Sequence, residues 1–152
     1  MDENNVILDT KQYIVVKLDG EQYGIDISYV DNIVRMQKPT RVPKTQHYFK
    51  GVINLRGEII PVMSLRLKFG LCDTEETNAT RIIIIKTEAN AKLGIVVDEV
   101  REVVTLSEND VEKTSFDAGK EDQSSLIGVG KVTDSLISLL NIQSLLNDID
   151  ND

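Results

Sequence analysis

Short apolar runs rich in β-branched residues alternate along the chain with polar breaks, and this pattern predicts a β protein. Nine runs have strand length: 13–18, 23–27, 51–55, 58–63, 81–86, 93–97, 101–106, 126–132 and 135–140. The breaks "DGEQ" (19–22) and "TEANA" (87–91) join neighbouring runs as hairpins. Regularly spaced short strands point to barrels or sandwiches, not to βαβ units. Helical periodicity is confined to a few places. Asn141 caps a C-terminal helix in which Ile142, Leu145, Leu146 and Ile149 fall on one face. "SLRLKF" (64–69) predicts a shorter helix that stops at Gly70. "SYVDNIV" (28–34) reads as a turn of helix and then strand, and Ser107 caps one turn in "SENDVEKT" (107–114). Residues 71–80 and 115–125 are polar and read as loops.

The pattern repeats. "YGIDISYVDNIV" (23–34) lies over "LGIVVDEVREVV" (93–104), with Gly24, Ile25, Val30 and Val34 meeting Gly94, Ile95, Val100 and Val104. "YIVVK" (13–17) lies over "IIIIK" (82–86). "GVINLRGEIIPVMSL" (51–65) lies over "GVGKVTDSLISLLNI" (128–142). A shared order of apolar positions over three blocks predicts two copies of one β module, about 13–70 and 82–149. Each copy has about five strands, the size of a small barrel, and two cores so small are expected to pack together.

Within the third block, Arg56, Gly57 and Glu58 interrupt an otherwise apolar stretch. Gly supplies the positive φ that a tight turn needs, so the block reads as a hairpin with Arg56 at or beside its tip. Pro61 lacks a donor N–H, which places the return strand at a sheet edge or a bulge. Arg56 is either a solvated turn residue or a binding residue. The second copy has Thr133 and Asp134 where the first has Arg56 and Gly57, so the fold does not require the arginine. That favours binding.

Composition narrows the function. The chain has 152 residues, 41% hydrophobic and 28% charged, as in an ordinary globular domain. The sequence shows no apolar stretch of membrane-spanning length and no basic n-region or apolar h-region, so neither a span nor a signal peptide is predicted. A net charge of −8 makes nucleic acid a poor partner. Asp148, Asp150 and Asp152 lack the glycine and distal glutamate of a calcium loop. One histidine, His47, and one cysteine, Cys72, cannot assemble an ordinary zinc site. No GxSxG, Walker A or GxGxxG motif is present, and no carboxylate pair sits inside an apolar run. The expectation is a protein with no catalytic residues, no metal and no cofactor.

"EQYGIDISYVDNIV", "RVPKTQHYFKGVINLRGEIIPVMSLRLKFG" and "LGIVVDEVREVV" resemble the CheW-type chemotaxis coupling proteins over about residues 11–149. The resemblance implies an all-β fold: two intertwined five-stranded SH3-like β-barrel subdomains packed on a shared core, with a short C-terminal helix. Residues 1–10 and 150–152 are then flexible termini, and no receiver or kinase domain follows. The resemblance also implies a non-catalytic cytoplasmic adaptor, recruited to membrane-associated receptor arrays without inserting into the membrane. It would couple the cytoplasmic tips of methyl-accepting chemotaxis receptors to the regulatory domain of the histidine kinase CheA. The arginine of the "NLRG" motif maps onto Arg56, beside Gly57, as a receptor contact. Val30, Asn32 and Ile82 fall at further partner-binding positions, with Asn32 standing where the family often has Glu. Ile59 and Val62, on the return strand, are the candidate kinase contacts, although facing Leu136 and Leu139 in the repeat leaves a core role open for both. The alternative is a regulatory or ligand-binding β-barrel module of another signalling pathway.

Overall fold

The structure, a computed structural model, describes residues 9–113 and 126–150. The loop expected at 115–125 and most of both expected flexible termini lie outside these residues. The first half of the chain forms β1 (Thr10–Leu18), β2 (Glu21–Asp26), β3 (Val30–Arg35), β4 (Phe49–Leu55), β5 (Glu58–Ser64) and a short helix α1 (Leu65–Lys68). The second half forms β6 (Arg81–Lys86), β7 (Lys92–Val97), β8 (Glu99–Ser107), β9 (Val111–Lys113), β10 (Leu126–Val132), β11 (Ser135–Leu140) and α2 (Ile142–Asp150). The segment 28–34 is a 3-10 turn at Ile27–Tyr29 followed by β3, in line with its mixed pattern. α1 starts where the Ser64 hydroxyl accepts from the Leu67 N–H, and it stops at Gly70, whose φ of 79° only glycine adopts freely.

The strands form a six-stranded sheet, β8-β1-β2-β11-β10-β9, and a five-stranded sheet, β3-β6-β7-β5-β4. Each sheet draws on both halves of the chain. β1 and β2 pair within the sheet that holds β8 to β11, and β6 and β7 pair within the sheet that holds β3 to β5. The chain crosses between sheets at the 3-10 turn and again at Asp98. This exchange is what intertwines the two SH3-like subdomains. The hairpins β4–β5 and β10–β11 keep one register: Leu55↔Glu58 and Ile53↔Ile60 in the first match Val132↔Ser135 and Gly130↔Ile137 in the second.

Exchange explains why the middle of two strands is apolar on both faces. β1 sends Ile14, Val16 and Leu18 into a core between the sheets, and Tyr13 and Val15 into the core of the six-stranded sheet. β6 does the same with Ile83 and Ile85 on one face and Ile82 and Ile84 on the other. α2 closes the shared core with Ile142, Leu145 and Leu146. Each such side chain contributes about 1.5–3 kcal/mol by leaving water.

An ion-paired clasp fastens the second crossover. The Arg66 guanidinium, on α1, bonds both Asp98 carboxylate oxygens, Nε at 2.9 Å and Nη2 at 2.8 Å. Its third nitrogen donates to the Cys72 carbonyl at 3.1 Å, and Asp19 at the β1–β2 turn lies 3.5 Å away. The Asp19 N–H donates to Asp98 at 2.9 Å. The clasp therefore joins a turn of one sheet to the helix that follows β5 of the other. Burial raises the Asp98 pKa, but the Arg66 hydrogen bonds and the Asp19 N–H outweigh it and hold the carboxyl below its ordinary range. A depressed carboxyl stabilises the fold above its unfolded pKa of about 4, and that contribution is lost as pH falls through the folded pKa. Arg66→Ala is expected to cost about 2 kcal/mol, or roughly 4–8 °C in melting temperature at pH 7. It should also flatten the decline in stability below about pH 4. A thermal melt series from pH 2 to 8 on both proteins checks this; parallel curves would show that the clasp contributes nothing.

Candidate protein-docking site

β4 and β5 meet at the pair Leu55↔Glu58, leaving Arg56 and Gly57 as the two turn residues. Their φ values are 54° and 86°, and two positive φ values define the tight turn whose twist matches a hairpin. Asn54 Oδ1 accepts from the Gly57 N–H at 3.0 Å and ties the tip down. Arg56 is exposed. Thr133, at the matching turn of β10–β11, takes a φ of 49°. The turn therefore selects a backbone conformation, and the guanidinium is free for another use.

The sequence places Pro61 at a sheet edge or a bulge; β5 is not an edge strand, since it lies between β7 and β4. The pairing with β7 covers only Val62 to Ser64, however. From Glu58 to Pro61 the strand has β4 alone beside it, and one unpaired side tolerates a missing N–H. The hairpin tip thus extends past the β7 pairing as a short arm, with Ile53 and Ile60 buried behind it. Ile59 on this arm is 63% exposed, and Leu136 on the matching arm of β10–β11 is 64% exposed.

Two expected contact residues are not at the surface. Val62 and Ile82 are both 0% exposed and pack with Ile53, Ile60 and Ile84 inside the five-stranded sheet. Ile82 sits on β6, which is paired on both sides, by β3 and by β7. Neither side chain can meet a partner, so both are corrected to core residues.

The structure brings the remaining positions to one end of the five-stranded sheet. Val30 opens β3 opposite Ile85, half-buried against the shared core. A bulge follows, so that Asn32 pairs with Ile84 and Asp31 falls between. Asn32 Oδ1 accepts from the Ile33 N–H at 2.8 Å, a local contact and not an ion pair. Beside Val30, where the chain crosses between sheets, an open groove of about 570 Å³ is lined by residues that include Lys11, Gln12, Asp26, Ser28, Tyr29 and Thr105. Across the same end of the sheet, Lys86 lies 3.4 Å from Asp31, Lys92 lies 3.5 Å from Asp31, and Lys92 lies 2.7 Å from Glu58. Burial raises the Asp31 pKa, but the two lysines outweigh it and hold the carboxyl low. The Glu58 hydrogen bond, with Asp31 beside it, raises Lys92 above the ordinary lysine range.

Sequence reasoning missed this ion chain. Its visible sign was a lysine on each side of the expected hairpin turn 87–91, at Lys86 and Lys92. It also missed a charge asymmetry. Between Asp31 and Glu58 stand Arg35, Lys38, Arg41, Lys44, Lys50 and Arg56, with no Asp or Glu among them. The acidic total conceals a basic stretch that ends at the hairpin tip.

The family model described as the CheW-like domain matches residues 12–150. The chain belongs to the CheW family. It is 35% identical over 137 residues to the chemotaxis protein CheW of Bacillus subtilis, covering 90% of this chain and 87% of that one. It is 31% identical over 135 residues to CheW of Helicobacter pylori, covering 89% and 81%. The crystal structure of the scaffolding protein TtCheW from Thermoanaerobacter tengcongensis superposes with a TM-score of 0.80 at 34% identity, covering 88% of this chain and 90% of that one. The chain is thus a chemotaxis scaffolding adaptor of a non-catalytic CheW type. Among the described residues no helix is long and apolar enough to cross a membrane, and no group of His, Cys, Asp or Glu side chains is placed to hold a metal.

Proposed function

We propose that this CheW-family chain couples the cytoplasmic tips of methyl-accepting chemotaxis receptors to the regulatory domain of the histidine kinase CheA. The observation that carries the reading is the placement of Arg56 and Gly57 with Val30 and Asn32 at one end of the five-stranded sheet, where β3 leaves the turn whose residues 26–29 line the groove. A receptor tip docks there, with Arg56 as its charged contact. The kinase domain docks on the outer side of the β4–β5 arm, where Ile59 is exposed. Similar β modules pair by burying such β-branched side chains. Each contact is weak, on the order of micromolar, and array assembly multiplies them. The protein works in the cytoplasm, at receptor arrays beneath the membrane.

Ile59→Glu is expected to abolish capture of the kinase regulatory domain in a pull-down while receptor-tip capture persists. Circular dichroism should be unchanged, because the side chain is already in water. A loss of structure would assign Ile59 to the fold instead, and unchanged kinase capture would move the kinase surface elsewhere.

A further inference from the structure

Lys86 and Lys92 face each other across the β6–β7 hairpin. Like charges directly opposite destabilise a strand pair. The bulge in β3 answers this by taking Asp31 out of the regular pairing, and its two carboxylate oxygens reach one lysine each, at 3.4 Å and 3.5 Å. Lys92 then has its shortest contact with Glu58, at 2.7 Å. Glu58 is the residue that follows the Arg56–Gly57 turn, and Asp31 stands between Val30 and Asn32. The chain of charges thus runs from β3 across β6 and β7 to β5, which is the span between the two halves of the docking site. No direct β3–β5 pairing holds those halves together, and the β4–β5 arm is unpaired with β7 until Val62.

We propose that Lys92, held between Asp31 and Glu58, is a positioning residue that fixes the Arg56 hairpin relative to Val30 and Asn32. This rests on the docking site described above. Ile53 and Ile60 hold the ribbon to the sheet, and only the tip from Arg56 to Ile59 lies beyond that packing. An ion pair at Glu58 limits the motion of that tip before a partner arrives and lowers the ordering cost of binding. Lys92 does not touch the receptor; it acts through Glu58.

The test is a titration of the full chain with a soluble receptor-tip fragment, at low and high salt. Lys92→Met is expected to weaken binding about fivefold, and Lys92→Arg to retain it. Lys92 is half-buried but Glu58 is open to water, so melting temperatures should fall by no more than about 4 °C. Lys92→Glu and Glu58→Lys should each weaken binding, and the two combined should restore most of it. The gap between Lys92→Met and the parent protein should close at about 1 M salt, where the Debye length is about 3 Å. Arg56→Ala runs beside them. If Arg56→Ala loses the receptor and Lys92→Met does not, the positioning role is wrong and the docking site stands. If the combined exchange binds as weakly as Lys92→Glu alone, Lys92 does not act through Glu58 and the inference fails. If Arg56→Ala binds like the parent, the docking site itself is misplaced and the inference falls with it.

Discussion

Arg56→Ala is expected to remove receptor binding without disturbing the fold. The arginine occupies a turn position with a φ of 54°, makes no ion pair among the described residues, and has Thr133 in the matching turn. Nothing in the turn depends on the guanidinium: the Gly57 N–H is held by Asn54. The substitution should therefore change stability by less than about 0.5 kcal/mol. Arg56→Gly should be no less stable, because glycine adopts a positive φ without steric cost. Arginine at the centre of an interface is a frequent hot spot worth about 2 kcal/mol or more, which corresponds to roughly a 30-fold loss of affinity. Receptor-tip titrations on both variants should show that loss together, since they share only the missing guanidinium. A fall in melting temperature of ten or so degrees would make Arg56 structural.

The largest effect on stability is expected at Gly51. It follows the β4 bulge, with a φ of 134°, which non-glycine residues rarely adopt. A Cβ there would collide with the Thr40 carbonyl oxygen, which accepts from the Val52 N–H at 2.9 Å. That oxygen is backbone and cannot rotate away, so Gly51→Ala meets both strain and collision. A loss of about 3 kcal/mol or more is expected, lowering the melting point by roughly 6–12 °C. Gly128, after the β10 bulge, has the Glu112 carbonyl 2.9 Å from its Cβ position and no positive φ, so Gly128→Ala should cost less. Equal losses at the two sites would mean that the conformation at Gly51 adds nothing.

Much of this was legible in the residues. The runs at 13–18 and 81–86 gave β1 and β6, and the Arg56–Gly57 tip followed from one glycine between two apolar runs. The pairing of strands was less accessible. Two similar halves bury the same side chains whether each closes on itself or exchanges its first hairpin with the other. Periodicity therefore could not show that β1 and β2 join the strands of the second half. The grouping of Ile59 with Val62 failed for a reason the sequence did contain. Residues three apart on a strand face opposite sides, so only one of them can be outward. Ile82 offered no such clue, because four consecutive isoleucines on a strand buried on both faces show no alternation. The ion chain at Lys92 depends on the bulge at Asp31, which no local pattern announced.

The bridging role requires two surfaces that can be occupied at once, and the most direct measurement is a competition titration. The kinase regulatory domain, labelled, is bound to the full chain, and a receptor-tip fragment is added to saturation. The account predicts that the label stays bound and that a ternary complex forms, from which Arg56→Ala removes the receptor alone. Displacement of the kinase domain by the receptor tip would place both partners on one surface and contradict the bridge.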